Sequence, residues 1–265
     1  MVDPSYELDT SVAHPARVYD YWLGGKDNFA ADRKAADDVV AVRPSILYDV
    51  RANRQFLGRA VRWLAVQAGI RQFLDIGTGI PAANNTHQVA QEVAPDARIV
   101  YVDNDPIVLV HARALLTGTP AGATAYIDGD LRAPEPILAA AHRTLDFTQP
   151  IAVLLIGVLH LISDDEDPAG IIARLMAAVP AGSYLALTQP ASDVNADQAA
   201  AGAQRYNDRV ATKQTRRSRE ETAAFLDGLE IVEPGVVQFP RWHPDPGATD
   251  LDREVSGWCG VGRKP

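Results

Sequence analysis

Three short acidic segments in the middle of the chain carry residue types from which a small-molecule site can be built. The first is Asp75-Ile76-Gly77-Thr78-Gly79-Ile80-Pro81-Ala82. Its glycines let a ligand approach the backbone closely, and unpaired N–H groups at a following helix start can face it. Gly77, Gly79 and Ala82 also fit the G-x-G-x-x-A form of a dinucleotide fingerprint, although an ordinary tight turn uses the same residues. The second segment, Asp103-Asn104-Asp105, starts 24 positions beyond Gly79. A carboxylate there can accept both hydroxyl protons of a ribose, in a nicotinamide dinucleotide as in S-adenosylmethionine (SAM). Asp105, directly before Pro106, is placed to cap a helix, which leaves Asp103 for the ribose. The third, Asp128-Gly129-Asp130-Leu131-Arg132, offers an acid and an adjacent N–H for an adenine edge, or else a plain Asp-Gly turn. A pyrophosphate would be repelled by this ring of carboxylates, whereas the cationic sulfur of SAM would not. The charge argument therefore favours SAM over NAD.

These segments have chemical value only if one scaffold brings them together. Each ends or follows an apolar run: Arg71–Ile76, Arg98–Val102 and Thr124–Ile127. Further runs at Ile151–Ile156 and Tyr184–Thr188 alternate with helical patterns at 86–93, 106–117, 135–145 and 168–179. Such a βαβ rhythm predicts an α/β fold, a mostly parallel sheet with helices on both faces. Ligands of such sheets bind beyond the carboxyl ends of the strands, where all three acidic segments fall. Ser218 and Glu221 predict a capping box opening a helix over 218–227. Leu229–Val232 and Ser256–Val261 are candidates to complete the sheet. Ala196–Ala203 reads as helix rather than linker. Residues 1–70, with helical patterns at 32–42 and 48–67, form a cap ahead of a binding domain over 71–265.

Composition sets outer bounds. The 265 residues are 47% hydrophobic and 22% charged, with 25 Lys+Arg against 34 Asp+Glu. A formal charge of −9 disfavours a nucleic-acid partner, since phosphates need a basic field. No apolar run has the ~18 residues of a membrane helix, so no membrane partner is expected. The three acids of Met1–Thr10 do not resemble a secretory leader, and the single cysteine, Cys259, fits a reducing cytoplasm. His14, His243 and Cys259 lack the spacing of a metal site, and none is expected.

Longer runs carry a resemblance. Ala16-Arg17-Val18-Tyr19-Asp20-Tyr21-Trp22-Leu23-Gly24-Gly25-Lys26-Asp27-Asn28-Phe29, then Arg51-Ala52-Asn53-Arg54-Gln55-Phe56-Leu57, Phe73–Gly79, Val100–Pro106 and Val158-Leu159-His160 span most of the chain. Together they resemble a bacterial family of class I SAM-dependent methyltransferases, long catalogued as a domain of unknown function. The resemblance implies a seven-stranded Rossmann-like sheet whose last hairpin adds an antiparallel strand. It also implies SAM as cofactor and S-adenosylhomocysteine (SAH) as product. Asp75, Gly77, Thr78 and Gly79 would line the methionine part, Asp103 and Asn104 the ribose, and Asp130 with Leu131 the adenine. Gly157, after the fourth strand, joins this set. Pro81 departs from the usual third glycine and supplies no N–H. The resemblance does not supply the methyl acceptor.

In the N-terminal run, Gly24-Gly25 permits a sharp turn between aromatics and Asn28. We expect a lid over SAM that contacts it through Tyr21, Gly25 and Asn28, against the simpler reading of a turn joining two core helices. Arg51 and Arg54 would pair with Asp27 or with the SAM carboxylate, or lie on a solvated helix face. The segment Gly157-Val158-Leu159-His160 lacks the Asn/Asp-Pro-Pro-aromatic motif of nucleobase amino methyltransferases, which leaves a small-molecule acceptor. His160 is the candidate catalytic base, or else a packed cap residue. Acceptor contacts are expected from Gln189–Asn195 and the helix after it, while Lys213, Arg216, Arg217 and Arg219 read as exposed charge. A SAM- or SAH-binding regulator without turnover is the second reading, an NAD-dependent oxidoreductase the third, and a homodimer fits any of them.

Overall fold

All five residues of strand β1 (Gln72–Ile76) are buried, as expected of a strand covered on both faces. The structure, a computed structural model, describes residues 9–108, 110 and 118–265. Strands β2 (Arg98–Asp103), β3 (Ala123–Asp128), β4 (Ala152–Leu155) and β5 (Tyr184–Pro190) run parallel to β1 in the order β3-β2-β1-β4-β5. The chain steps outward from β1 to β3, then crosses back to β4 on the other side of β1. That reversal opens a crevice beyond the carboxyl ends of β1 and β4.

The far edge corrects one expectation. β6 (Glu230–Ile231), β7 (Val237–Gln238) and β8 (Gly257–Arg263) bring the sheet to eight strands instead of seven. β8 pairs antiparallel with β5, from Tyr184 opposite Arg263 to Pro190 opposite Gly257, and both short strands pair with β8. Between them the chain turns at Gly235, whose N–H donates to the Val232 carbonyl. A strand of two residues has no alternation to read, so β7 left no trace in the sequence pattern.

Before the sheet come α1 (Pro15–Trp22), α2 (Ala30–Val42) and α3 (Ile46–Val66). Along it lie α4 (Thr86–Val93), α5 (Pro134–Ala141) and α6 (Pro168–Ala178), and after β5 come α7 (Ala196–Asn207) and α8 (Arg219–Ala224). Local signals start several of them. Asp167 accepts the Gly170 N–H ahead of Pro168 in α6, and Ser218 and Glu221 form a reciprocal cap on α8. The expected helix over 106–117 opens at Pro106–Val108, where Asp105 Oδ1 accepts the Ile107 N–H. Residues 109 and 111–117 of it lie outside the described residues.

Alternate residues of β1 serve opposite layers of the core. Phe73, with Ile99 and Tyr101, packs against Phe56 and Leu64 of α3 and Ala90 of α4. Leu74, with Val100 and Leu155, packs against Ile137 of α5 and Leu175 of α6. A third cluster joins Val18 and Trp22 of α1, Ala36 and Val39 of α2, Val50 of α3 and Tyr206 of α7. The N-terminal helices are thereby tied to the helix that follows β5. Among the described residues, no helix is long and apolar enough to cross a membrane.

Candidate functional site

The crevice is a cavity whose wall includes Asp75, Gly77, Thr78, Gly79, Asp103, Asn104, Asp130, Leu131, Gly157 and His160. The ends of four strands thus converge on one space. The cavity has two differently charged sides.

Over β1–β3 the wall is acidic. Gly77 sits at φ +75°, and a Cβ there would lie 2.4 Å from the Val158 side chain, so only glycine fits. Its N–H and both the N–H and hydroxyl of Thr78 donate to the Val102 carbonyl, which seats the turn on β2. Asp103 accepts the Gly79 N–H at 2.8 Å on one oxygen and the Asp105 N–H at 2.9 Å on the other. Burial nevertheless lifts its carboxyl above the usual range, with those two bonds opposing. Asp75, 4% exposed, accepts the Thr86 hydroxyl at 2.6 Å. Burial first, and the charge of Asp103, push its pKa up to about 6, while the Thr86 bond and Arg54 pull the other way. Asp130 is half-exposed, pairs with Arg132 at 3.2 Å and precedes the buried Leu131. Arg132 is held in turn by Glu166 and the Leu161 carbonyl.

Over β4 and β5 the wall is basic. His160 lies on the turn Leu159–Leu161 after β4, with its buried Nδ1 unpartnered. Burial first, then the charges of Arg216 and Arg217, push its pKa down to about 3. It is a neutral, weakly basic imidazole. Arg216, expected on the surface, reaches the cavity and donates to the Ala191 carbonyl at 2.8 Å. Burial, then Arg43, push its pKa down to about 9. Arg217, also expected to be exposed, is buried and clamps the His160 turn through Asp164 and the Leu159 and Ile162 carbonyls. Arg219, which donates to the Val236 carbonyl, and Lys213 are exposed as expected. A buried pair, Arg43 with Asp49, completes this side.

Tyr21, Gly25 and Asn28 are not brought to the cavity. The Tyr21 hydroxyl donates to Asp37 on α2. Asn28 donates to Asp20 at 2.8 Å and to the Gly25 carbonyl, and a Cβ on Gly25 would fall 1.9 Å from Asp20 Oδ1. The glycines fold the chain around the Asp20 carboxylate and turn α1 into α2. Tyr19 and Trp22 of the same run line the cavity instead. They sit three apart on one helix face, whereas Tyr21 is rotated about 200° from Tyr19. Arg54 is at the cavity and donates to the Ala83 carbonyl and Asn85, while Arg51 is exposed and away from it.

Among the wall residues that sequence reasoning missed are His14, Arg43, Asp49 and Asn53. Asp49 and Asn53 stand four apart on the face of α3 that also buries Phe56 and Leu57. Polar residues at helical spacing in an apolar stripe were the available signal. Asn53 donates to the Tyr19 hydroxyl at 2.9 Å, and that hydroxyl donates to the Val50 carbonyl. His14 Nδ1 lies 2.8 Å from Asp105, tying the segment before α1 to the loop that holds Asp103. Among the described residues, no group of three His, Cys, Asp or Glu is placed to hold a metal ion.

The sequence profile of S-adenosyl methyltransferases matches residues 2–265. The chain belongs to the S-adenosyl methyltransferase family. A DUF574 family protein from Streptomyces avermitilis is 44% identical, with a TM-score of 0.92 over 98% of this chain and 100% of that one. A proposed methyltransferase from Thermobifida fusca is 41% identical, with a TM-score of 0.89 over 100% of this chain and 99% of that one. The mitomycin 7-O-methyltransferase MmcR shares the fold at 19% identity and a TM-score of 0.52, over 97% of this chain and 74% of that one. A comparison with curated proteins finds no match. As a member of this family the protein is a SAM-dependent methyltransferase, and the dinucleotide oxidoreductase reading falls. The donor set suits the cofactor: carboxylates for hydroxyl, amino and cationic groups.

Proposed function

We propose that this methyltransferase holds SAM against the acidic side of the cavity, over β1–β3, and a small-molecule acceptor against the basic side, over β4 and β5. The observation that carries the reading is the meeting of Asp75, Asp103 and Asp130 with the Gly77–Gly79 turn on one cavity wall. Asp103, pinned by two N–H groups, keeps lone pairs for the ribose hydroxyls. Asp130 and the backbone of Leu131 would take the adenine, Asp75 the cationic end of the methionine part, and Arg54 its carboxylate. SAM supplies the electrophilic methyl group on its sulfonium. The chain's share is placement: holding a nucleophile in line is worth on the order of 7–11 kcal/mol. Tyr19 and Trp22 from α1 and Tyr206 from α7 close the acceptor side and exclude water. His160 does not supply a strong base, so it positions the acceptor and does not deprotonate it.

Single-turnover transfer from methyl-labelled SAM, over a panel of small phenols, amines and organic acids, tests this. Label should appear in at least one class. Tight SAM binding with no transfer anywhere would favour a SAM- or SAH-binding regulator.

A further inference from the structure

Resting on that reading, we propose that the acceptor is a small organic acid with an apolar body, whose carboxylate pairs with Arg216 on the basic side of the cavity.

The charges there do not balance. Arg43 is matched by Asp49, which the Ser256 backbone N–H also holds, and Arg217 is matched by Asp164 at 2.7 Å. Arg216 makes no ion pair among the described residues: Asp49 attracts it through space but is in contact with Arg43. Its Nε donates to the Ala191 carbonyl at 2.8 Å and one terminal nitrogen to the Ser256 carbonyl at 3.4 Å, both neutral acceptors. Of its five N–H donors, three remain for a ligand. A guanidinium withdrawn from water without a counter-ion in contact is costly, and its planar fork matches a carboxylate with two parallel bonds. The Ala191 contact, just past the end of β5, fixes the fork before any ligand arrives. Trp22, Ile46, Leu161 and Tyr206 give the rest of this side an apolar lining, suited to a hydrocarbon or aromatic body and not to a polyanion. Asn53 Oδ1, buried and without a partner, can accept a hydrogen bond from a hydroxyl on the same molecule.

The test is calorimetry on the full chain, first with SAH and then, on the SAH-loaded protein, with 3-phenylpropionate and its neutral amide. The acid should bind on the order of tenfold tighter than the amide, the difference expected of one charge-assisted pair. That preference should vanish in Arg216→Gln and survive in part in Arg216→Lys, with SAH affinity unchanged in both. Equal binding of acid and amide by the unaltered protein, or binding of neither, overturns the inference, as does an undiminished preference in Arg216→Gln. Inorganic sulfate displacing the acid at equal concentration would show a general anion site and also overturn it. If Arg216→Gln does not fold, the unaltered protein and Arg216→Lys still decide. Failure to bind SAH would strike the proposed cofactor placement; SAH binding without acid preference strikes only the acceptor class.

Discussion

The two sides of the cavity are built in opposite ways. The acidic side is assembled from strand ends, and backbone N–H groups hold Asp103 in place. Asp75 accepts the Thr86 hydroxyl, and burial lifts it despite the charge of Arg54. The basic side is assembled from distant helices and loops, and side-chain ion pairs hold Arg43 and Arg217 in place. One side is a product of the sheet, the other of the way α1, α3 and the segment after α7 close over it. The first should therefore depend on the cap chiefly through Arg54 and His14, and the second throughout.

The largest effect should come from breaking the basic side's own pairing. Arg43→Leu leaves Asp49 buried and poorly compensated, and should cost about 3–5 kcal/mol in urea unfolding. The double change Arg43→Met with Asp49→Leu should recover most of it. A loss confined to the double variant would contradict the pairing.

On the acidic side, Asp103→Ala should weaken SAH binding roughly a hundredfold with little change in thermal stability. That is the scale of two hydrogen bonds to a charged group.

Asp75→Asn should separate the sides by pH. The native carboxyl, lifted to about 6 from 3.8, holds its proton more tightly in the folded than in the unfolded chain. Its contribution to stability is therefore fully present below about pH 4 and is lost as pH rises to about 6, by about 2–3 kcal/mol. The asparagine variant lacks that loss. Without cofactor it should be more stable than the unaltered protein at pH 7.5 and similar at pH 4.5. SAM, which brings positive charge to the carboxylate, should bind the unaltered protein more tightly as pH rises from 5 to 7.

Smaller signals sharpen the contrast further. The His160 imidazole, identified by its absence in His160→Gln, should show no protonation shift in NMR between pH 8 and 4.5. A midpoint near 6.5 would mean that the basic side is wetter than described. Smallest of all, Tyr21→Phe should leave SAH affinity within about twofold, because its hydroxyl serves Asp37 on the outside of the cap.

The same division explains what could be read from the sequence. β1–β4 announce themselves through apolar runs ended by Gly or Asp, and a residue at or just after the end of a strand lies at the carboxyl edge by topology alone. Asp75, Gly77, Asp103 and Asp130 could thus be gathered onto one edge without coordinates. Arg43, Asp49 and Arg216 could not, since they come from the ends of two helices and a polar loop and meet only through tertiary packing. Arg216 and Arg217 sit in a stretch of charge whose usual fate is solvent, and no local pattern marks the carbonyls that claim them. The Gly24-Gly25 run failed differently. Its residues are special because Asp20 is wrapped by the turn, and the identity of Tyr21 says nothing about which face of α1 packs inward.

The structure of the complex with SAH tests the central division most directly. We expect the ribose hydroxyls against Asp103 and the adenine beside Asp130 and Leu131, with Arg216 and His160 left open on the other side. An adenosyl group seated over β4 and β5 against Arg216, with Asp103 untouched, would contradict it.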